Sequence, residues 1–490
     1  MRILTLIIVA LVMLVTVFAI LYLTVFIRSD NVDIPPVVQQ PEATPTPLPQ
    51  RPPQQPESPR LPLTKDDFLA DFDNMFGFME INFPYFGVIE RRLGVDIFAL
   101  AQNTRAIIEN YPYSVLDIMY ELGMGTADVP ELDSHVFWGI LWDEFFRHFE
   151  GIGHAYILDY VWYRDYMLSN VFWEEVYRFF LEQERYLMNH AEFDPVMSEF
   201  VYRSYIPRSF DEADGVVLTE IVEDGTIAYI RVPSHFNPRQ DVHDSRRNRN
   251  ILLDFYSEIQ GYDNLIIDVR DTVTAHSDYM AMLLIYPLLT DDHHNQIEPL
   301  YAFYRGDEFG EMLYEYFTGE NAPVSTRLFE LGKFQTAEDL IAANNLHLFN
   351  EADLAYLRYG HEVSISFDNL TGQSLSDMIG GARPPSYPFE GQVWLLTSGA
   401  NTSGAVTLAM MSRTTGFATL VGETAHGSYL GLWLYHIELP HSWGNVTWAM
   451  DYLTDQYGRA FEEFPIEPDY YNRPGMDALE TTLALIAEGR

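Results

Sequence analysis

A turn of small residues between an apolar strand and an apolar helix is the part of this chain whose residue types suit covalent chemistry. The stretch VWLLTSGANTSGAVTLAMM predicts a buried strand ending at Thr397, a tight turn, and a helix. Ser403 would lie at the mouth of the sheet, and the amide of Gly404 would lie in the first helical turn, where unpaired N–H groups favour an anion. This arrangement suits a nucleophile with an oxyanion donor beside it, but a serine at this point is also a common helix N-cap.

Other residue types limit which nucleophiles, metal sites and cofactors the chain could use. The chain has no cysteine, which excludes disulfides, thiolate metal ligands and cysteine nucleophiles and leaves serine as the natural nucleophile. The run from Asp291 to His294 (DDHH) has the composition of a metal site. Adjacent histidines on a strand point to opposite faces, however, and no helical i, i+4 pair supports them, so we interpret the run as a solvated loop. No glycine-rich phosphate loop is present, and we predict neither a metal nor a cofactor.

Residues 393–427 as a whole resemble the signature of the tail-specific, or C-terminal-processing, serine peptidases. The resemblance is nearest to the branch of the tricorn core and the interphotoreceptor retinoid-binding protein. That branch reads LTS, then TxSGAEE, then RATxVGETTGG, and this chain reads LTS, NTSGAVT and RTTGFATLVGETAHG. The resemblance implies that Ser403 is the nucleophile and that the amide of Gly404 stabilises the oxyanion.

Further segments resemble the same family in the same order: DFLADFDNMFGFMEINFPYFG, FEGIGHAYI, TIAYIRVPSHF with YDNLIIDVR, and YGRAFEEFPIEPDYY with LETTLALI. The second segment implies that His154 is the general base, which fits the near-neutral titration of imidazole, with a buried structural histidine as the alternative. The last implies that Glu462 orients the histidine or the substrate. The neighbouring Glu463 leaves the register of this acid open, and a solvated surface acid is the alternative.

Several positions depart from the family pattern. Ser428 stands where the bacterial branch has a catalytic lysine, which favours a histidine-based site and leaves Ser428 as a polar helper or a solvated loop residue. The family's glycine-rich turn, which donates a second oxyanion amide, is replaced by residues 271–275. Without glycine that backbone is less free, so Thr272 or Val273 would have to donate instead. His426 lies in the loop GETAHGS, where it would line the cleft.

The elements around these residues predict an α/β protein with a mostly helical N-terminal domain at 65–210. From 211 to 490 short strands alternate with helices, which predicts an α/β core with some parallel pairing. The resemblance implies that this core is of the crotonase/ClpP type. Residues 300–380 are less regular, and no arrangement is predicted for them. The predicted helices are 97–110, 114–123, 138–149, 165–200, 247–260, 277–289 and 404–414, and the predicted strands are a hairpin around Asp224-Gly225 and runs at 265–269, 393–397 and 418–422.

The first 64 residues have a different composition. Within residues 1–30, an uncharged apolar stretch from Ile3 to Ile27 is long enough as a helix to cross a hydrocarbon core of about 30 Å. The stretch exceeds the core of a cleavable signal and ends in bulky residues, so we predict a transmembrane signal anchor rather than a removed peptide. Residues 31–64 hold eleven of the 28 prolines and predict an extended linker.

The net charge of the chain indicates which classes of partner it can bind. The chain has 29 basic and 71 acidic residues, a net charge of −42, and residues 1–64 contribute four of each sign. The globular part is therefore strongly acidic, which excludes nucleic acid as a partner and favours neutral or basic peptides. We predict a single-pass cell-membrane protein whose extracytoplasmic part is a serine peptidase for peptides or unfolded protein tails. The alternative is a catalytically degenerate relative that binds a peptide or ligand at the surface. The missing glycine turn favours this alternative, and so does Val406, which lies in the stretch Ala405-Val406-Thr407 where the family has an acidic residue. The sequence leaves the oligomeric state open.

Overall fold

The structure, a computed structural model, describes the chain in eleven ranges. These ranges are 63–112, 131–158, 215–236, 242–290, 298–306, 308–318, 325–326, 329–367, 383–425, 434–442 and 444–490. The signal anchor, the linker up to residue 62 and the domain boundary at 210 lie outside the described residues. Within the described ranges, every helix falls short of the length and apolarity that crossing a bilayer requires. Residues Leu63–Arg490 form one unit.

The described chain begins with helices. Helix α1 (Lys65–Asn82) starts at a capping box, in which the Thr64 hydroxyl accepts the Asp67 amide and the Asp67 carboxylate accepts the Thr64 amide. Phe68, Phe72, Met75 and Met79 recur at helical spacing and are buried. The following elements are α2 (Phe86–Leu93), α3 (Ile97–Glu109), α4 (Ser134–Glu144), the 3-10 turns Phe146–Phe149 and Ile152–His154, and strand β1 (Tyr156–Leu158).

A six-stranded, mostly parallel sheet forms the centre of the α/β part. Its strands in spatial order are β17 (Tyr470–Tyr471), β13 (Thr419–Gly422), β12 (Gln392–Thr397), β5 (Asn264–Asp268), β3 (Ile227–Arg231) and β2 (Leu218–Glu223). The predicted hairpin, β2 with β3, is antiparallel, and the other pairings of this sheet are parallel. All residues of β5 are buried, as expected when both faces of a parallel sheet are covered. The carboxyl ends of β5, β12 and β13 therefore meet at one edge of the sheet.

Residues 300–380, for which the sequence predicted no arrangement, supply most of a second sheet. Its strands are β7 (Leu300–Arg305), β8 (Ser325–Thr326), β9 (Phe329–Leu331), β10 (Gln335–Thr336), β11 (Leu357–Ile365) and β16 (Tyr452–Thr454). Helices α7 (Glu308–Thr318) and α8 (Ala337–Asn344) lie between these strands in the chain. The pairings are antiparallel, and β16 joins from the far end of the chain. Local periodicity carries no information about a pairing this distant, so this sheet could not be read from the sequence.

A third, antiparallel sheet fixes the segment that contains His154. Its strands are β1, β15 (Asn445–Ala449) and β14 (Leu434–Glu438), and β1 follows His154 almost directly. The buried carboxylate of Asp71 in α1 accepts the amides of His441 and Ser442 at 3.0 and 2.6 Å, in the turn between β14 and β15. Helix α1 and the His154 segment are thus held on the same small sheet.

Helices of the α/β part agree with the sequence prediction where local signals are strong. Helix α9 (Gly404–Thr414) has the predicted bounds, α5 (Val242–Glu258) begins earlier than predicted, and α10 (Ala478–Ala487) closes the chain. The helix predicted near 277–289 is α6 (Ser277–Met280), which continues as a π turn and ends in a 3-10 turn.

One predicted helix is wrong in its bounds. The sequence predicted 138–149, whereas α4 ends at Glu144 because Phe145 leaves the helical region with φ −132° and ψ −74°. The helices predicted at 114–123 and 165–200 lie outside the described residues.

Candidate active site

Ser403 occupies a strained turn between strand β12 and helix α9. Its backbone has φ 51° and ψ −120°, a conformation that glycine adopts readily and other residues rarely do. Its side chain makes no capping hydrogen bond to the helix that follows, so the N-cap interpretation lacks the contact that would define it. A half-buried serine with a strained backbone at the carboxyl edge of a parallel sheet has a geometry that would suit a nucleophile.

Gly404 is required by close packing. A Cβ atom at this position would lie 2.4 Å from the carbonyl oxygen of Ala275, in the short strand β6 (Thr274–Ala275). Strand β6 pairs in parallel with β4 (His235–Phe236), just beyond the central sheet. The first turn of α9 thus begins directly against β6. The dipole of α9 and the N–H of Gly404 favour negative charge beside Ser403.

The turn before Ser403 is hydrogen-bonded to the loop that follows β5. Three side chains of the turn donate to four carbonyl groups of this loop, and two of the three sit within two residues of Ser403. The bonds are Ser398 Oγ to Arg270 O (2.6 Å), Asn401 Nδ2 to Val269 O (2.6 Å) and to Thr272 O (3.2 Å), and Thr402 Oγ1 to Val273 O. The loop therefore presents carbonyl groups, which are acceptors, to the Ser403 turn.

The amides of this loop donate elsewhere. The N–H of Thr272 donates to Val269 O at 2.9 Å, and the N–H of Val273 donates to Ser234 O at 3.0 Å. In this structure neither Thr272 nor Val273 directs its amide at Ser403, which differs from the oxyanion role predicted for them. The physical reason is the one the sequence suggested: a loop without glycine keeps ordinary φ/ψ values, and here its carbonyl groups face the turn.

His154 is buried at the end of the 3-10 turn Ile152–His154. Its side chain is 5% exposed, and its Nδ1 atom has no hydrogen-bond partner among the described residues. Burial lowers the pKa of His154 to about 4, because the charged imidazolium would lose its hydration. The imidazole is therefore neutral at pH 7, which is the form that can accept a proton.

Glu462 lies against the residue that precedes His154. Its Oε1 atom accepts the amide of Gly153 at 3.1 Å, across 309 positions of sequence, and its side chain is 3% exposed. Its charge also helps burial to hold the pKa of the neighbouring Tyr85 hydroxyl well above its usual range. The adjacent Glu463 instead forms a bidentate ion pair with Arg91 at 2.8 and 2.7 Å. Of the two acids, Glu462 is the one that faces the histidine segment.

Some predicted site residues are not tested by this geometry. His426, Ser428 and the run Asp291–His294 lie outside the described residues. Ser403 with Gly404 forms one group, and His154 with Glu462 forms another. Asn401 was not singled out from the sequence, although an asparagine inside a turn of small residues is a known signal for side-chain bonds to the backbone.

Comparisons with known proteins give matches among solved structures. No family model matches the chain, and no curated protein does. The chain is similar to a lipoprotein from Streptococcus agalactiae, with 13% identity and a TM-score of 0.44, over 89% of this chain and 100% of that one. It is similar to mature CPAF complexed with lactacystin, with 10% identity and a TM-score of 0.43, over 83% and 94%.

A third similar structure is the photosystem II D1 C-terminal processing protease, with 11% identity and a TM-score of 0.29, over 53% of this chain and 48% of that one. The resemblance to C-terminal-processing peptidases that the motifs indicate is thus confirmed as a resemblance. Such low identities and TM-scores establish neither membership of a family nor a reaction, so the function of this chain has to follow from its own residues.

Proposed function

We propose that this protein is a serine hydrolase that cleaves peptides or unfolded protein tails, with Ser403 as the nucleophile. The observation that carries the proposal is the backbone of Ser403: φ 51° and ψ −120° at the start of α9, without a side-chain cap. A strained conformation persists only where its surroundings enforce it, and such positions concentrate at functional sites.

The proposed reaction uses the two groups of residues together. His154 accepts the hydroxyl proton while Ser403 Oγ forms a bond to the scissile carbonyl carbon. The Gly404 amide stabilises the oxyanion, and the proton passes from His154 to the amine that leaves. Water then attacks the acyl-enzyme with His154 again as the base, which releases the second product and restores Ser403. Glu462 acts as a positioning residue, because its bond to Gly153 fixes the backbone that carries His154.

Chain connectivity supports a common site. Glu462 precedes Ile466 by four residues, and the Ile466 carbonyl accepts the amide of Ala425 at 3.0 Å. Four extended residues span at most about 14 Å. Ala425 follows Gly422, which pairs in register with Thr397 at the end of β12. Glu462 is therefore joined to the strand edge from which the Ser403 turn begins by two short chain stretches and one backbone hydrogen bond.

The proposal also includes the location of the protein at the membrane. An N-terminal anchor at 1–30 and a linker at 31–64 would hold the acidic globular part outside the membrane, with the α/β core at 211–490 following the helical region. Net charge of −42 favours substrates that are neutral or basic.

A second candidate is a peptide- or ligand-binding protein with a degenerate site. The specific observation in its favour is the loop after β5, whose Thr272 and Val273 amides both donate to other carbonyl groups. With one oxyanion donor in place of two, the expected loss in turnover is roughly 100-fold or more.

A fluorophosphonate probe separates the two candidates. We would incubate the full-length protein, purified in detergent, with the probe, and compare the wild type with Ser403→Ala. Ser364→Ala is a matched control, because Ser364 lies on β11 and its hydroxyl bonds locally, to Glu362 at 3.4 Å.

Labelling of the wild type and of Ser364→Ala, but not of Ser403→Ala, is the expected result. If the folded wild type is not labelled and turns over no peptide library, the hydrolase proposal is wrong and the binding candidate takes its place.

A further inference from the structure

Asn401 is a polar side chain near Ser403 whose amide oxygen and amide nitrogen both form hydrogen bonds. It is fully buried, and among the described residues its amide group bonds to backbone atoms. Oδ1 accepts the amide of Ser398 at 2.8 Å, while Nδ2 donates to Val269 O at 2.6 Å and to Thr272 O at 3.2 Å. The backbone N–H of Asn401 also donates to the carbonyl of Ser398 at 3.1 Å, so one residue closes the turn twice.

These bonds join two segments that have to be held together if Ser403 is to react. One is the turn from Ser398 to Ser403, and the other is the loop from Val269 to Thr272 at the carboxyl end of β5. An aliphatic side chain at position 401 would leave a half-buried amide and two buried carbonyl groups without this partner. Since Ser403 lies two residues further on in a strained conformation, the turn that ends in it has to be fixed from outside.

We propose that Asn401 is a positioning residue, which fixes the Ser403 turn against the 269–272 loop and so aims the Ser403 hydroxyl. The inference rests on the proposed function, because the Ser403 hydroxyl needs to be aimed only if it reacts. The three side-chain bonds of Asn401, which we call the Asn401 clamp, are a property of the fold in either case. Ser398 and Thr402 hold the same loop through single bonds to Arg270 O and Val273 O, so loss of the Asn401 clamp should loosen the turn without unfolding the protein.

The chain offers a matched control in Asn248. This side chain in α5 is also buried, at 3% exposure. Its Oδ1 accepts the amide of Val217 at 2.9 Å, and its Nδ2 donates to the carbonyl of Gly215 at 2.9 Å. Its amide group therefore also bonds to backbone through both its oxygen and its nitrogen, but it holds the single segment 215–217 next to the edge strand β2.

The test compares Asn401→Asp with Asn248→Asp in the full-length protein. Each change keeps the shape and the acceptor and removes the amide donors. The first readout is inactivation by the fluorophosphonate probe, divided into its maximal rate constant and its half-saturating concentration, at a temperature where both variants are folded. We expect Asn401→Asp to lower the maximal rate roughly 10- to 100-fold with little change in half-saturation, because misplacement of a reacting group mainly slows the chemical step. Asn248→Asp should leave both values within about twofold of the wild type.

The second readout is amide hydrogen exchange, which needs no activity. We expect Asn401→Asp to speed exchange roughly tenfold or more in the peptides that contain Ser398 and Thr272, and Asn248→Asp to do so only near Val217.

The two readouts distinguish failure of the hydrolase proposal from failure of the Asn401 proposal. A folded wild type that is neither labelled nor able to turn over peptides disproves the hydrolase, and hydrogen exchange then tests the Asn401 bonds alone. If the wild type is labelled and Asn401→Asp is labelled at an unchanged rate, Asn401 is not a positioning residue. Unchanged exchange at both segments would overturn the clamp in either case.

Discussion

Ser403 carries a backbone conformation that costs free energy. Holding a non-glycine residue at φ 51° and ψ −120° costs of order 1–3 kcal/mol, and the compensating bonds come from Ser398, Asn401 and Thr402. A serine that only capped α9 would have extended φ/ψ and a side-chain bond to the helix, as Asp96 has in front of α3. The residue-level geometry therefore favours chemistry over capping.

Replacement of Ser403 by glycine should stabilise the fold and remove the nucleophile. Glycine adopts this conformation without a Cβ clash, so we expect the free energy of unfolding to rise by about 1 kcal/mol. Asn345→Gly is the control, because Asn345 has φ 52° and ψ 47°, a left-handed conformation that asparagine tolerates. Denaturant titration measures both. A Ser403→Gly variant less stable than Ser403→Ala would show that the backbone of Ser403 is not strained.

Glu462 and Glu463 provide a neighbouring pair with different roles. Glu462→Gln should lower peptide turnover roughly 10-fold, because an uncharged amide oxygen is a weaker acceptor for the Gly153 N–H than the carboxylate and holds the backbone before His154 less firmly. Glu463→Gln weakens an ion pair with Arg91, which still binds Asp353, and we expect turnover to stay within about twofold and stability to fall by at most about 1 kcal/mol. Steady-state kinetics with a fluorogenic peptide gives the comparison. Equal losses in both variants would remove the special role of Glu462.

At the scale of the element, the short segment around His154 depends on positive φ values. Glu150, Gly151, Gly153 and His154 have φ values of 50°, 78°, 65° and 51°, so a chain of this sequence turns sharply before β1. Gly153 is also pressed against two aromatic rings, since a Cβ there would lie 2.6 Å from Phe83 Cε2 and 2.7 Å from a Tyr85 ring carbon. The helical region thus shapes the turn that presents His154.

Gly153→Ala should be far more damaging than a comparable change elsewhere. We expect it to lower the free energy of unfolding by about 2–4 kcal/mol, through backbone strain and overpacking together, and to slow probe labelling by displacing His154. Gly94→Ala is the matched control, because Gly94 has φ 68° but open space around the missing Cβ, so about 1 kcal/mol is expected there. Thermal and urea unfolding report both values. Equal destabilisation by Gly153→Ala and Gly94→Ala would mean that the rings of Phe83 and Tyr85 move aside without loss of stability.

At the scale of the whole molecule, two buried histidines couple stability to pH. Burial lowers the pKa of both His154 and His361 to about 4. His361 bonds to the Tyr304 hydroxyl and the Glu362 carbonyl, both at 2.9 Å, and is held in its neutral form. The unfolded chain binds these protons near pH 6.5, whereas the native protein binds them near pH 4. The associated stability is therefore complete above about pH 6.5 and is lost as the pH falls towards 4.

His154→Gln should remove its share of that pH dependence. Relative to the variant, the wild type should lose up to about 3 kcal/mol between pH 7 and pH 4. The comparison between variants is necessary because burial raises the pKa of Asp71, which contributes in the opposite direction. Urea unfolding at a series of pH values gives the measurement. A difference that stays constant with pH would mean that His154 is hydrated in the native protein.

The bounds of single elements were predictable where one local signal decides them. Helix α9 and strand β12 have strong apolar patterns and small-residue boundaries, and their predicted and observed limits agree closely. The second sheet was not predictable, because β7 and β16 pair across the chain. The end of α4 was also missed, since Phe145 is apolar like its neighbours and no local signal marks the point where its backbone leaves the helix.

The sequence by itself determined the residue types of the site, the strand–turn–helix that carries Ser403, and the acidic, cysteine-free character of the chain. These follow from short-range pattern and composition, which need no knowledge of distant contacts. Only the tertiary structure decided that Glu462 rather than Glu463 reaches Gly153, that burial keeps His154 neutral, and that Asn401 binds the loop after β5. Each of these depends on contacts between segments far apart in the chain, which a local pattern does not encode.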